Sequence, residues 1–420
     1  MLALLKQLFT PKNKDILKRV LFTLLVLTIF KLGTMIQVPG TESITKDLGF
    51  LELMDAMGGG AFERFSIFAL GVMPYISASI ITQLLQMDIV PYFSELAKQG
   101  QSGRMKINKI NRYLGIAIAF LQGYVFSFAF IPEGATALEY MRVSIILTAG
   151  TAFVLWLGDQ ITQKGIGNGI SLIIMAGIIM TTPTMFVDAF TEMVKTTSTQ
   201  ATIMGILSFA LFVLIYFAIV VGIIFIQRAE RRIPIQYSNK TSSAYASKQN
   251  YMPIKVNSAG VMPVIFASMV VAIPPTIAQF LKNDEFLLFV EKYLNYDTTV
   301  GFIFYLLLIA FFTYFYTYMQ LKPDEMAENF QKQGGYIPGI RPGKETASYI
   351  KLILSRLTCI GALFLMFIAG LPIIFSNISN LNANITIGGT GLLIVVGVVL
   401  ETYNQLESRL LTRSYGGRWK

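Results

Sequence analysis

Gly71-Val72-Met73-Pro74-Tyr75-Ile76-Ser77-Ala78-Ser79 returns 189 positions later as Gly260-Val261-Met262-Pro263-Val264-Ile265-Phe266-Ala267-Ser268, with seven of the nine positions identical. Each copy lies in a long apolar run and carries a proline, so the chain reads as two related halves, each with an interrupted membrane helix at a corresponding place. Such paired interruptions point to a transport path. Small residues and prolines also recur by chance in membrane proteins, but the unbroken Gly-Val-Met-Pro argues against chance here.

Working outward, 54% of the 420 residues are hydrophobic and 14% charged, too little polar surface to cover a soluble globule of this length. Ten apolar stretches approach the ~20 residues a helix needs to cross ~30 Å of hydrocarbon. They run over 20–38, 65–87, 113–131, 142–161, 168–187, 203–226, 258–280, 300–320, 353–375 and 385–404. None alternates with the two-residue period of a membrane barrel, so the predicted fold is an all-α polytopic bundle. The first run follows a basic amphipathic segment (Leu4, Leu5, Leu8 and Phe9 beside Lys6, Lys12 and Lys14) and reads as a retained helix. Cys359, the single cysteine, excludes a disulfide framework and reads as a small buried hydrophobe.

With the N-terminus in the cytoplasm, ten spans place 27 of the 34 Lys and Arg residues on the cytoplasmic side. That bias predicts both termini inside and an even helix count. It also accounts for the net charge of +10 without nucleic acid, although basic loops can meet an acidic partner. Two cytoplasmic loops, 227–257 and 321–350, are longer than topology needs, which marks them as functional or disordered. The first carries Arg228, Arg231 and Arg232. The second carries Gly339-Ile340-Arg341-Pro342-Gly343-Lys344, whose Pro and Gly residues set defined turns and hold Arg341 at a tip.

The spans lack the groups that ion-coupled carriers place near the bilayer midplane. There is no histidine. Asp88, Asp159 and Glu401 lie near cytoplasmic ends, and Lys31 can snorkel from the first helix. No Walker A spacing, catalytic triad or metal-ligand set occurs, and the alternating Gly165, Gly167 and Gly169 read as a short turn between spans. An enzyme is not expected, and neither is a cofactor or a metal. Ahead of the first repeat copy, Gly58, Gly59 and Gly60 favour a hinge, followed by a short segment with Phe62, Glu63, Arg64 and Phe65. It is too short and polar to span, and fits either a mobile stopper in a pore or an extracellular loop helix.

Five segments carry a resemblance: 65–85 (FSIFALGVMPYISASIITQLL), 164–171 (KGIGNGIS), 255–268 (KVNSAGVMPVIFAS), 339–343 (GIRPG) and 388–396 (GGTGLLIVV). Together they resemble the SecY family, the channel subunits of the bacterial protein translocon, over essentially the whole chain. The resemblance implies ten helices in two inverted five-helix halves, 1–200 (helices one to five) and 201–420 (helices six to ten), with the repeat on helices two and seven. It implies a re-entrant plug over about 58–71 and a pore ring of Ile76, Ile80, Ile174, Ile265, Met269 and Ile394. Met269 stands where the family carries an isoleucine, serine or other small or apolar residue. Helices two and three against seven and eight would form a lateral gate.

It further implies a passive channel in the bacterial cytoplasmic (inner) membrane that takes signal peptides and nascent or presecretory polypeptides and releases apolar segments into membrane lipid. The implied partners are SecE, SecG, the SecA ATPase and the ribosome, with Arg231, Arg232, Arg341 and Lys344 as the motor or ribosome contacts and no small-molecule substrate. The loop 227–257 matches only at its ends, so its contacts carry over to Arg231 and Arg232 at most. The alternatives are a secondary transporter of small solutes, which shares the inverted repeat but requires a polar midplane site, and a peptide-export enzyme or intramembrane protease, which requires paired acids, a Ser-Lys pair or metal ligands.

Overall fold

The structure, a computed structural model, describes residues 14–41, 55, 57–87, 90–131, 136–194, 199–237, 250–281, 284–294, 298–379 and 388–416. The amphipathic segment around Leu4 to Lys12, Asp88, residues 238–249 of the first long loop and the last four residues lie outside the described residues. In chain order the elements are α1 (Lys14–Thr34), α2 (Met73–Leu85), α3 (Pro91–Lys98), α4 (Gln101–Phe130), α5 (Ala137–Lys164), α6 (Gly169–Met193) and α7 (Thr199–Arg228). There follow β1 (Glu230–Tyr237), β2 (Asn250–Lys255), α8 (Met262–Leu281), α9 (Asp284–Tyr293), α10 (Thr299–Leu321), α11 (Pro323–Lys332), β3 (Gly335–Tyr336), α12 (Lys344–Ser379) and α13 (Gly388–Gly416).

Each of the ten apolar runs falls on a helix. Among the described residues five are long and apolar enough to cross a membrane: 137–164, 169–193, 202–228, 299–332 and 344–371. The run expected over 65–87 is helical only over Met73–Leu85, and residues 59–72 are turns. Gly71, with φ of +52°, breaks the helix, and Pro74, which has no N–H to leave unpaired, fits the first turn of the one that follows.

The chain forms two compact units, Met1–Ala210 with Leu381–Lys420, and Leu211–Asn380. The last helix, α13, falls in the unit that holds α1 to α6. In the first unit α4 and α5 meet at Gly123, where a Cβ would stand 3.3 Å from Ser144, and the Ser144 hydroxyl donates to the Phe120 carbonyl (2.6 Å). Helix α5 opens with a capping box, Thr136 N–H donating to the Glu139 carboxylate (2.8 Å). Asn168 caps α6 by accepting from Ile170 N–H. The turn between them, read as a short connection, is tied to α1, whose Thr23 hydroxyl accepts from Ile166 N–H (3.2 Å). Ile16, Ile166 and Leu410 bury together beside it.

In the second unit Phe266 of α8 meets Phe312 and Tyr316 of α10 edge-on at 5.7 and 5.8 Å. Helix α10 stops at Lys322, whose φ of +36° turns the chain into Pro323 and α11. The described residues of the two long loops form one folded module. Strand β1 pairs antiparallel with β2 and β3 in the order β2-β1-β3. Its sequence alternates, Ile233 and Ile235 inward and Arg232, Pro234 and Gln236 outward, the two-residue period of a half-buried strand. The inward face packs Ile233, Ile254 and Ile337 on Ile350 and Leu354 of α12. Cys359, expected to be buried, is exposed on α12, one position off the buried Thr358.

Ile350 is fully buried in that module. Its replacement by alanine leaves a cavity and is expected to destabilise the module by about 2–5 kcal/mol. The measurement is trypsin protection of the bonds after Arg231 and Arg232 in membranes; unchanged protection would show that the strands do not depend on this core.

Candidate functional site

The two repeat copies adopt the same local structure. Gly71 and Gly260 have φ of +52° and +65°, backbone that favours glycine, and the helices begin at the equivalent residues Met73 and Met262. The first-turn bonds correspond as well: Tyr75 and Ile76 N–H donate to Val72 O (3.1 and 3.1 Å), Val264 and Ile265 N–H to Val261 O (3.1 and 3.4 Å). The repeated sequence therefore encodes a glycine break followed by a proline-started helix.

Ahead of the first copy, residues 57–72 are packed into the first unit. Gly58, Gly59, Phe62 and Phe65 are buried, Gly60 is half-buried, and Glu63 and Arg64 are exposed. Phe62 meets Phe126 and Phe130 of α4 edge-on (5.2 and 5.3 Å), and Phe65 stacks on Phe130 at 3.7 Å. Three helical glycines receive the segment. A Cβ at Gly177 would strike the Met57 carbonyl, one at Gly150 the Ile67 carbonyl, and one at Gly33 the Phe68 ring. Asp55 clips the turn, its Oδ1 accepting from Phe62 and Glu63 N–H, both at 2.9 Å. Burial pushes the Asp55 carboxyl above the usual carboxylate range, opposed by those two N–H donors.

Of the six ring positions, the first unit holds Ile76 and Ile80 on α2, Ile174 on α6 and Ile394 on α13. Ile76, Ile174 and Ile394 are buried there and Ile80 is half-buried. The second unit holds Ile265, buried, and Met269, half-buried, on α8.

The four cationic positions lie on the module built from the two long loops, all exposed. Arg231 and Arg232 are on β1, where Arg232 pairs with Glu230 (2.8 Å) and lies 4.8 Å over the Tyr251 ring of β2. Arg341 and Lys344 precede and open α12. The Arg341 backbone is fixed: its carbonyl accepts from the Thr346 hydroxyl (2.9 Å), Ile340 N–H donates to Ile337 O (3.1 Å), and Ile337 is buried in the module core. Gly339 and Gly343, on either side, have φ of +82° and +101°.

Sequence reasoning missed several of these partners. Asp159 of α5 is ion-paired with Arg112 of α4, and Thr82 of α2 bonds to Asn111 of α4. Glu401 is exposed and accepts from Gln405 at 3.4 Å. No spacing rule links Arg112 to Asp159. The glycine seat also carries no local signal, whereas the alternation in Glu230–Tyr237 is a strand signal that the all-α reading passed over.

The family model for SecY matches residues 66–403. The protein translocase subunit SecY of Staphylococcus aureus is 45% identical over 423 aligned residues, covering 97% of each chain. Among solved structures, a protein-conducting channel superposes with a TM-score of 0.64 at 20% identity, covering 94% of this chain and 92% of that one. A SecY protein whose plug domain stabilises the closed state of its translocation channel and maintains a membrane seal superposes with a TM-score of 0.61 at 19% identity, with the same coverage. The identity across nearly the full length of both chains, together with the match to the family model over most of this one, places this multi-pass helical membrane protein in the SecY family.

Proposed function

We propose that the chain is a passive protein-conducting channel that moves unfolded secretory polypeptides across the bacterial cytoplasmic membrane and releases transmembrane segments sideways into lipid. The observation that carries this is the full-length 45% identity to a protein translocase subunit. Ten spans in two inverted halves, with both termini cytoplasmic, agree with the distribution of Lys and Arg. Residues 58–71 serve as the plug, and Ile76, Ile80, Ile174, Ile265, Met269 and Ile394 as the apolar seal. A narrow apolar constriction excludes water and ions by dewetting and gives a passing polypeptide no hydrogen bond to hold it.

Such a channel supplies no energy of its own. The driving partners are the SecA ATPase or a translating ribosome, meeting Arg231, Arg232, Arg341 and Lys344, and the small membrane partners are SecE and SecG. A solute carrier needs a polar midplane site, and the pairing of Asp159 with Arg112 leaves that carboxylate already neutralised. The test is site-specific crosslinking from position 265 during arrested export of a presecretory protein. Adducts with the arrested chain are expected; their absence, with adducts from lipid alone, would sink conduction through this site.

A further inference from the structure

The plug segment is held in two different ways along its length. The hydrogen bonds that residues 57–64 make among the described residues close within 55–66: Gly60 N–H to Asp55 O (3.1 Å), Phe62 and Glu63 N–H to Asp55 Oδ1, Phe65 N–H to Phe62 O (2.9 Å) and Ser66 N–H to Ala61 O (2.8 Å). Toward the helices this lobe packs through the Phe62 ring on α4 and through the Met57 carbonyl and Gly59 against Gly177 of α6. Three of the five bonds end on Asp55 and survive when Asp55 leaves with the lobe; the two to Phe65 and Ser66 lie at the junction.

Residues 65–68 are bound differently. Gln37 and Ser66 form an antiparallel bridge, flanked by Val38 N–H to Phe65 O (3.0 Å) and Ile67 N–H to Ile36 O (2.9 Å). Residues 36–38 directly follow α1. The Phe68 ring fills the notch at Gly33 and stacks between Phe30 (6.0 Å) and Phe153 (5.9 Å). Displacing this lobe would strip two backbone bonds and empty a notch that only glycine permits. Between the lobes stands Phe65, a fully buried aromatic with φ of +43°. Left-handed backbone is costly for a bulky residue and persists only where its surroundings force it. Its surroundings are the bridge on one side and the Phe130 stack on the other, so it marks the junction between a fixed and a loosely held part.

We propose that the plug does not move as one body: residues 57–64, with Asp55, swing out of the channel while residues 65–72 stay as a fixed collar, with Gln37 and Ser66 as the positioning residues that pin it. The proposal rests on the plug reading above and narrows it to the first lobe. It predicts that a covalent lock at the bridge is harmless. Gln37 and Ser66 are a non-hydrogen-bonded antiparallel pair, whose Cα separation of about 4.5 Å suits a disulfide.

The experiment combines Gln37→Cys with Ser66→Cys in a Cys359→Ser background, reconstituted with its motor and membrane partners. Disulfide formation is read by alkylation, and a short bis-maleimide serves where oxidation is incomplete. Translocation by the locked channel is expected to stay within about twofold of its reduced form, because no moving part is tied. A companion variant lacking residues 58–64 is expected to raise resting ion conductance by about tenfold or more, as loss of the closed state requires. Translocation blocked by the lock and restored by reductant would overturn the fixed collar while leaving the plug in place. Unchanged conductance in the deletion variant would instead overturn the plug reading itself.

Discussion

Replacing Ile76 and Ile265 together by glycine is expected to raise the resting ion conductance of reconstituted channels by about tenfold or more, because a wider apolar constriction wets. The two residues occupy the same place in the repeat, in the first turn of α2 and of α8, where each N–H closes the first helical bond to Val72 or Val261. Both are buried, at 6% and 5% exposure. Glycine has a second effect, since each costs roughly 1 kcal/mol of helix stability relative to alanine. The Ile76→Ala, Ile265→Ala channel separates the two causes: it keeps the helices and shortens the side chains. If side-chain bulk is the seal, the alanine channel leaks as well, though less. Planar-bilayer conductance of purified channels is the measurement, and an unchanged value in the glycine channel would remove both residues from the seal.

The same repeat shows which parts of the molecule were legible in the sequence. The break before α2 and α8 could be read because glycine and proline act locally: Gly71 and Gly260 take left-handed backbone, and Pro74 and Pro263 fit the first turn of a helix. Apolar runs announced the helices for the same local reason. The module built from the two long loops was half legible. Gly339 and Gly343 marked turns, but the pairing of β1 with β3 joins residues 100 apart, Gln236 with Tyr336, and nothing local encodes it. The seat of residues 57–72 was illegible in kind, because Gly33, Gly150 and Gly177 look like ordinary glycines of apolar helices. Only the approach of a carbonyl or a ring gives them a role. Asp159 lies near a helix end with its side chain partly exposed, and what no local signal announced is its ion pair with Arg112 on the neighbouring helix.

Arg341→Glu is expected to abolish motor-driven translocation, and Arg341→Lys to impair it partially, with membrane insertion and SecE association unchanged in both. The side chain is exposed while its backbone is fixed by the Thr346 hydroxyl, the Ile337–Ile340 turn and the buried Ile337. A guanidinium presented from a rigid base can bond a carboxylate or phosphate through two N–H groups, whereas an ammonium offers a compact point charge. A hydrogen bond to a charged group contributes about 1.5–3 kcal/mol, so lysine should weaken docking by roughly tenfold to a hundredfold. Glutamate does more, because it places a like charge against the partner's anion. A purely topological role makes the opposite demand: lysine would serve fully, and one reversal among 27 inside charges would hardly register. Translocation of a presecretory protein into inverted vesicles, driven by the ATPase, distinguishes the two. Full activity in the glutamate variant would leave Arg341 as one more inside charge, whereas loss with intact insertion identifies the rigid turn as the place where the motor takes hold.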